Sequence, residues 1–512
     1  MSTVNRVVKN TGYLYMKMGV TVLISLYTTR LILNSLGASD FGIFNILGGA
    51  IGMLGFLNST LANATQRFMS YTEGKGCHIE KCKIFNVSLI IHIFIAGLTL
   101  ILLLGAMYPL FDGILNIEPN RVFSAKVVYL SLVFSTVFTI INVPYDAVIN
   151  SHENMLYYSI VGIFEALLRL AVAIACVYTS VDKLMLYGVL MALIPVISLS
   201  MMIIYCHKHY EECRLHLRKY YDIDLVKQIA SFSGWNLLTA VSSLFSAQGI
   251  GVVLNHYFGT ILNASQGIAQ QINGQLSSFS ANMLKALNPV IQKNAGMNDE
   301  EQMNRITIAG CKFSTYLVLV FAIPFIIEMP CILKLWLNNV PEWAVLFCVL
   351  QLIQTIICQM ASSAATEVYA KGDIKGYAVY KSVMNFLPIV ITYIAFKFGG
   401  SPLWLYLPMI IVWGIGGNMV IIHYAHTKCN LSIHHYLNEV VLPVFLVTLV
   451  MIMFGSITLL SFRPSLLRLI STCCMTTFGM LISILLWGLS YDEKQYLKML
   501  CASVLDKYRK LL

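Results

Sequence analysis

Runs of about twenty apolar residues recur along the whole chain, and each is long enough to cross a bilayer as a helix. They number about 14, from Gly12–Leu36 at one end to Tyr436–Leu460 and Leu466–Leu489 at the other. Spans of this length select helices rather than barrel strands, because a helix satisfies its backbone hydrogen bonds within the segment. Composition agrees: of 512 residues 58% are hydrophobic and 11% charged. A water-soluble fold carries about twice that charge. The expected fold class is an all-α polytopic membrane protein. No cleavable secretory signal is evident, since the polar start from Met1 to Asn10 runs straight into a long apolar span.

A net charge of +10 would suggest nucleic acid in a soluble protein. Here the basic residues sit in short loops, where they set orientation, and no nucleic-acid partner is expected. With the N-terminus inside, about 22 basic residues fall on inner segments and about 7 outside. The inner set includes Lys75, Lys81, Lys83, Arg214, Arg218, Lys219, Lys371, Lys375 and the tail from Lys494 to Lys510. Both termini are therefore expected in the cytoplasm. No loop is long enough for a catalytic domain. The 13 cysteines are scattered without zinc spacing, so no metal site is expected.

The sequence also repeats. Gly12-Tyr13 matches Gly234-Trp235; Leu33-Asn34 with Leu36-Gly37 matches Leu254-Asn255 with Phe258-Gly259; Ala147-Val148 matches Glu367-Val368. All three pairs share an offset of about 220 residues, which spans six helices, so both copies enter the membrane from one side. The expected organisation is an N-lobe (1–206), a cytoplasmic linker (207–228), a C-lobe (229–427), two further spans (428–490) and a cytoplasmic tail (491–512). A cavity is expected between two pseudo-symmetric six-helix lobes.

Ionisable side chains inside a bilayer are costly and mark function by default. Lys17, Arg30, Arg169, Lys285 and Lys381 fall within spans, with Arg67 at a span end and few acids to offset them, chiefly Glu165 and Glu367, with Asp146 and Glu328 near span ends. That balance suits an anionic substrate. Lys17 and Lys381 are also near enough to a surface to reach the interface along their own stems. Lys17 and Arg30 lie roughly 140° apart around one helix, so they cannot both face one narrow path. Glu165 and Arg169 are spaced i, i+4 and are expected to pair on one face, as a buried structural pair or a gate. In the eighth span Gln271, Gln275, Ser278, Asn282 and Lys285 share one helix face. The second span carries Asn63 with Arg67 beside it, and the first carries Arg30 and Asn34. Amides and hydroxyls hydrogen-bond sugars and cations hold pyrophosphate, so these residues are the expected cavity lining. Interhelical packing explains such polar faces too.

The run YTTRLILNSLGASDFGIFNILGGAIGMLGFLNSTLANATQRFMSYTEGKG, from Tyr27 to Gly76, and PYDAVINSHENM, from Pro144 to Met155, resemble O-antigen flippases. These form the polysaccharide-transporter branch of the superfamily that also holds MATE drug exporters. The resemblance implies a substrate built on undecaprenyl pyrophosphate, a lipid-linked oligosaccharide flipped from the cytoplasmic to the periplasmic leaflet of a bacterial inner membrane by alternating access. It implies a lipid-tail groove at the last two helices, and contacts with membrane lipids and polysaccharide assembly proteins. No P-loop pattern appears, so an ion gradient, Na⁺ or H⁺, is the expected drive, and no cofactor is expected. Two other readings are a MATE-type cation exporter, which would want intramembrane carboxylates, and a membrane-embedded glycan polymerase or glycosyltransferase, which would want a catalytic loop.

Overall fold

The computed structural model describes residues 3–495, apart from 53–54, 116, 338 and 491–492. The charged tail expected from Tyr491 lies outside the described residues except for 493–495. Among the described residues the chain is helical throughout, with no strand. Eleven helices are long and apolar enough to cross a membrane, or up to 13 if each of two bent pairs is one span. The chain is a multi-pass membrane protein.

The first group of helices runs α1 (Asn5–Gly37), α2 (Ser39–Gly52), α3 (Gly55–Lys75), α4 (His78–Gly113), α5 (Val122–Ser151), α6 (Met155–Tyr178) and α7 (Lys183–His209). Then come α8 (Ile223–Phe258) and α9 (Thr260–Gly296). The rest are α10 (Glu300–Trp336), α11 (Ala344–Gln359), α12 (Ser362–Lys371), α13 (Lys375–Lys397), α14 (Pro402–Cys429), α15 (Ile433–Ser461) and α16 (Leu466–Gly488). The bent pairs are α2 with α3, at 48°, and α11 with α12, at 41°. Helix α9 is long enough to cross but is not among the spans that pass on apolarity. Its polar stripe, Gln271 to Lys285, is the reason.

Local chemistry sets the ends and bends. Asp182 caps α7 by accepting from the Leu184 and Met185 amides, and Asn154 caps α6 through the Tyr157 amide, which satisfies otherwise orphaned N–H groups. Gly37 has φ 80°, a conformation open to glycine and strained for other residues, and there α1 breaks from α2.

By contacts the chain divides into two compact units, Met1–Val241 with Lys285–Asp299, and Ser242–Leu284 with Glu300–Leu512. The division falls inside α8 and α9. In the first unit α5 packs on α3, α4 and α7, and α1 on α6. The C-terminal part of α9 is docked against α3 backbone to backbone. A Cβ at Gly74 would lie 2.1 Å from the Lys293 carbonyl oxygen, and one at Gly296 would lie 1.9 Å from that of Tyr71. In the second unit α10 lies against α11, α12, α15 and α16. Large apolar side chains such as Phe94, Ile101, Phe445 and Leu460 point outward, as a hydrocarbon solvent permits.

Candidate functional site

Four helices of the first unit bring their ionisable groups together at one tyrosine. Tyr158, one turn into α6, has the Lys285 ammonium 3.6 Å from its ring centroid and the Lys17 ammonium 4.0 Å from it. The π face of an aromatic ring attracts cations, and the attraction grows as water is removed. Lys17 reaches the ring over Gly162: a Cβ there would sit 2.2 Å from the lysine Cε. Tyr158, Gly162 and Glu165 follow at i, i+4 and i+7, so α6 presents one face to α1.

Two carboxylates complete the cluster. Asp146 on α5 accepts from the Asn142 side chain at 3.4 Å, and its other oxygen is buried without a hydrogen-bond partner. Lys285, Glu165 and Lys17 are the charged groups that act on it. Glu165 accepts a hydrogen bond from the Ser198 hydroxyl of α7 at 2.5 Å. Two ammoniums, two carboxylates and a phenol thus lie in one part of the bundle. Such a set can hold an oxyanion on its lysines, and can pass a proton between its acids and bases.

Lys17 and Lys285 are therefore brought together, although the sequence pattern grouped Lys285 with Arg30 and Arg67. Arg30 is exposed on α1, as are Asn34 on α1 and Asn63 on α3. Arg67 is 7% exposed and lies among other residues, with its guanidinium carbon 4.6, 4.8 and 5.6 Å from the ring centroids of Phe68, Tyr71 and Phe232. Gln271 and Gln275 are exposed on the part of α9 that belongs to the second unit. Ser278 and Asn282 bond back to their own helix, to the Gly274 and Ser278 carbonyls. The expected Glu165–Arg169 pair does not form: Ser198 takes Glu165, and Arg169 is exposed. The i, i+4 spacing permits the pair, but a neighbouring helix supplies a competing donor.

In the second unit Lys381 of α13 lies over Gly417 of α14, where a Cβ would be 2.5 Å from its Nζ. This repeats the lysine-over-glycine arrangement of Lys17. Glu367 of α12 is fully buried, and neither carboxyl oxygen is in hydrogen-bonding geometry. Its backbone carbonyl accepts from the Cys429 thiol at 3.6 Å. Two ion clusters hold the last helices. Lys312, 1% exposed, contacts Glu493 at 2.6 Å and Glu439 at 3.4 Å. Glu328, with no exposure, contacts Arg468 at 2.8 Å and accepts from the Thr472 hydroxyl.

Sequence reasoning missed Tyr158 and left Asp146 at a helix end. The i, i+7 relation of Tyr158 to Glu165 was the available signal. Glu73, His152 and Glu212 are close enough together to hold a metal ion. However, His152 spends its two ring nitrogens on different carboxylates, Nε2 on Glu212 at 2.5 Å and Nδ1 on Glu73 at 3.5 Å, and Lys81 holds Glu73 at 2.9 Å. That is the geometry of an ion-pair network.

No family model and no curated protein matches the sequence. Solved structures do match. The crystal structure of a MATE mutant superposes with TM-score 0.71 at 13% identity, over 83% of this chain and 96% of that one. The outward-facing conformation of a multidrug resistance MATE family transporter of the MOP superfamily gives 0.67 at 13%, over 83% and 95%. A MOP superfamily transporter from Pyrococcus furiosus, described by a binding pocket of reverse polarity that suggests a different function, gives 0.64 at 15%, over 84% and 96%. At these identities the likeness speaks for architecture, and on that basis the chain has the fold of the MATE transporters.

Proposed function

We propose that this chain is a membrane transporter working by alternating access, and that its substrate is anionic: a lipid-linked oligosaccharide carried on pyrophosphate. One observation supports an anionic substrate, the placement of the cations rather than a net charge, since Asp146 and Glu165 balance the two lysines. Lys17 and Lys285 converge on Tyr158, and neither α1 nor α9, which supply them, contains an Asp or Glu. The resemblance of Tyr27–Gly76 and Pro144–Met155 to O-antigen flippases supports the glycan. Residence in a bacterial inner membrane, cytoplasmic termini, the parallel two-lobe repeat and drive by an ion gradient belong to the same proposal.

Export of cationic compounds is the second reading. It has the solved structures on its side, since those matched include a multidrug resistance transporter. Asp146 and Glu165 beside the lysines are carboxylates that such a pump would use. Reconstitution separates the two. Purified protein in vesicles should flip a fluorescent short-chain isoprenyl-pyrophosphate sugar, and Lys285→Met should stop it without loss of insertion. Transport of a lipophilic cation with no movement of the isoprenyl probe would establish the second reading instead. The repeat is tested by superposing residues 12–206 on 234–424 in an experimental structure. The termini are tested with a periplasm-dependent reporter fused after Leu512 and after Gly37.

A further inference from the structure

At one end of the first unit, α3, α4 and the segment entering α8 line a half-open pocket of about 460 Å³, within the roughly 300–1,000 Å³ of small-ligand sites. Its cations are Arg67, Lys75 and Lys83, and its carboxylates are Glu80, Asp222 and Asp224. Phe68, Ile84 and Leu225 give it an apolar wall, and Thr72 and Gln228 add polar groups. We propose that this pocket binds the phosphorylated headgroup of a membrane lipid whose substituent carries hydrogen-bond donors.

Arg67 is the first reason. A guanidinium inside a span is expensive to keep, and this one is 7% exposed and set among three aromatic rings. A planar fork of N–H donors suits phosphate oxygens in two-point contact. Depth is the second reason. Arg67 lies eight residues before Lys75, the last residue of α3, which is about 12 Å along a helix at 1.5 Å per residue. Lys75 ends α3, Glu80 begins α4 and Asp222 precedes α8, so the pocket opens at the ends of spans, where headgroups meet water, and Arg67 marks its inner end.

The carboxylates set the selectivity. Lys75 meets Glu80 at 3.5 Å and Lys83 meets Asp222 at 3.0 Å, with all four side chains about a third to a half exposed. Pairs so exposed are weak and can rearrange. A bare phosphate would take the lysines and leave three acids facing an anion. A head bearing an ammonium or hydroxyls gives those acids donors. Ethanolamine or sugar phosphodiesters should therefore bind better than phosphatidate. Such a head belongs either to bulk phospholipid or to a lipid-linked sugar carrier, and the inference stands whether or not the substrate proposed above is right.

The test uses the full-length protein in detergent, with binding read by native mass spectrometry. The probes are short-chain phosphatidylethanolamine, phosphatidate, a short isoprenyl-pyrophosphate sugar and inorganic pyrophosphate. Phosphatidylethanolamine should bind at least about tenfold more tightly than phosphatidate. Arg67→Gln should lose about tenfold and Lys83→Gln a few-fold, at unchanged unfolding temperature. Competition by the isoprenyl sugar would identify the carrier as the ligand source, and its failure would identify bulk phospholipid. Equal binding to Arg67→Gln and wild type overturns the proposal, as does the absence of any preference over phosphatidate. Inorganic pyrophosphate binding as tightly as the lipids overturns it too. Should Arg67→Gln not fold, Thr72→Val and Lys83→Gln carry the same decision.

Discussion

In the second unit Glu328 and Arg468 meet at 2.8 Å, and Lys312 reaches Glu493 at 2.6 Å. In the first unit Lys17 and Lys285 share one tyrosine ring, and Asp146 keeps a buried oxygen without a partner. Both clusters keep charge inside a bundle, yet one neutralises it by direct contact and the other by a ring and by carboxylates farther off. Direct pairs between α10 and the last helices hold elements in place. A looser set, with sites still open, is the kind that can exchange a ligand or a proton. On the transport proposal above, the difference predicts a structural role for one cluster and a transport role for the other.

That contrast can be broken by stability measurements. The largest effect is expected at Arg468→Met, which leaves Glu328 buried and unpaired. Breaking such a pair costs about 3–5 kcal/mol, and the Glu328→Gln/Arg468→Met double variant should recover most of it in thermal unfolding. Lys312→Met should cost less, about 1–3 kcal/mol, because Glu439 and Glu493 retain 29% and 22% side-chain exposure and can turn to water. Lys17→Met or Lys285→Met should cost about 1 kcal/mol or less, the scale of one cation–π contact, while abolishing transport in vesicles. A loss as large as that at Arg468 would make the first cluster structural as well.

The smallest effect concerns the segment between α7 and α8. Burial alone would raise the Glu212 carboxyl, but the His152 hydrogen bond, the backbone and Lys81 pull it below its ordinary value. A depressed carboxyl contributes stability that is fully present above about pH 4.5 and is lost as pH falls through the folded value. Glu212→Gln should therefore flatten the acid side of the stability–pH curve and leave neutral pH little changed. An unaltered acid limb would show that His152 and Glu73 carry the network without it.

The spans were readable because a twenty-residue apolar run has few alternatives. The segment of α9 was expected as a span from its length and single polar face; it is a helix of crossing length but too polar to count among the apolar spans. The cluster was not readable, because Lys17, Asp146, Tyr158 and Lys285 come from four helices and no sequence spacing links them. The angle between Lys17 and Arg30 did hold information: a helix face that turns one inward turns the other out, and Arg30 is exposed. Glu165 shows the opposite limit. Its spacing to Arg169 was correct, and the choice of Ser198 instead depended on where α7 packs.

Gly162 has a consequence for what can replace Lys17. The lysine stem crosses α6 at a missing side chain, so the notch acts as a length gauge, admitting a slim four-carbon stem that ends in a compact ammonium. An arginine of the same charge would have to pass a broad planar head through that opening. A methyl group at position 162 would close it from the other side. The two positions, one charged and one bare, therefore act together: a side chain at 162 would push the flexible end of Lys17 aside and shift the ammonium on its ring.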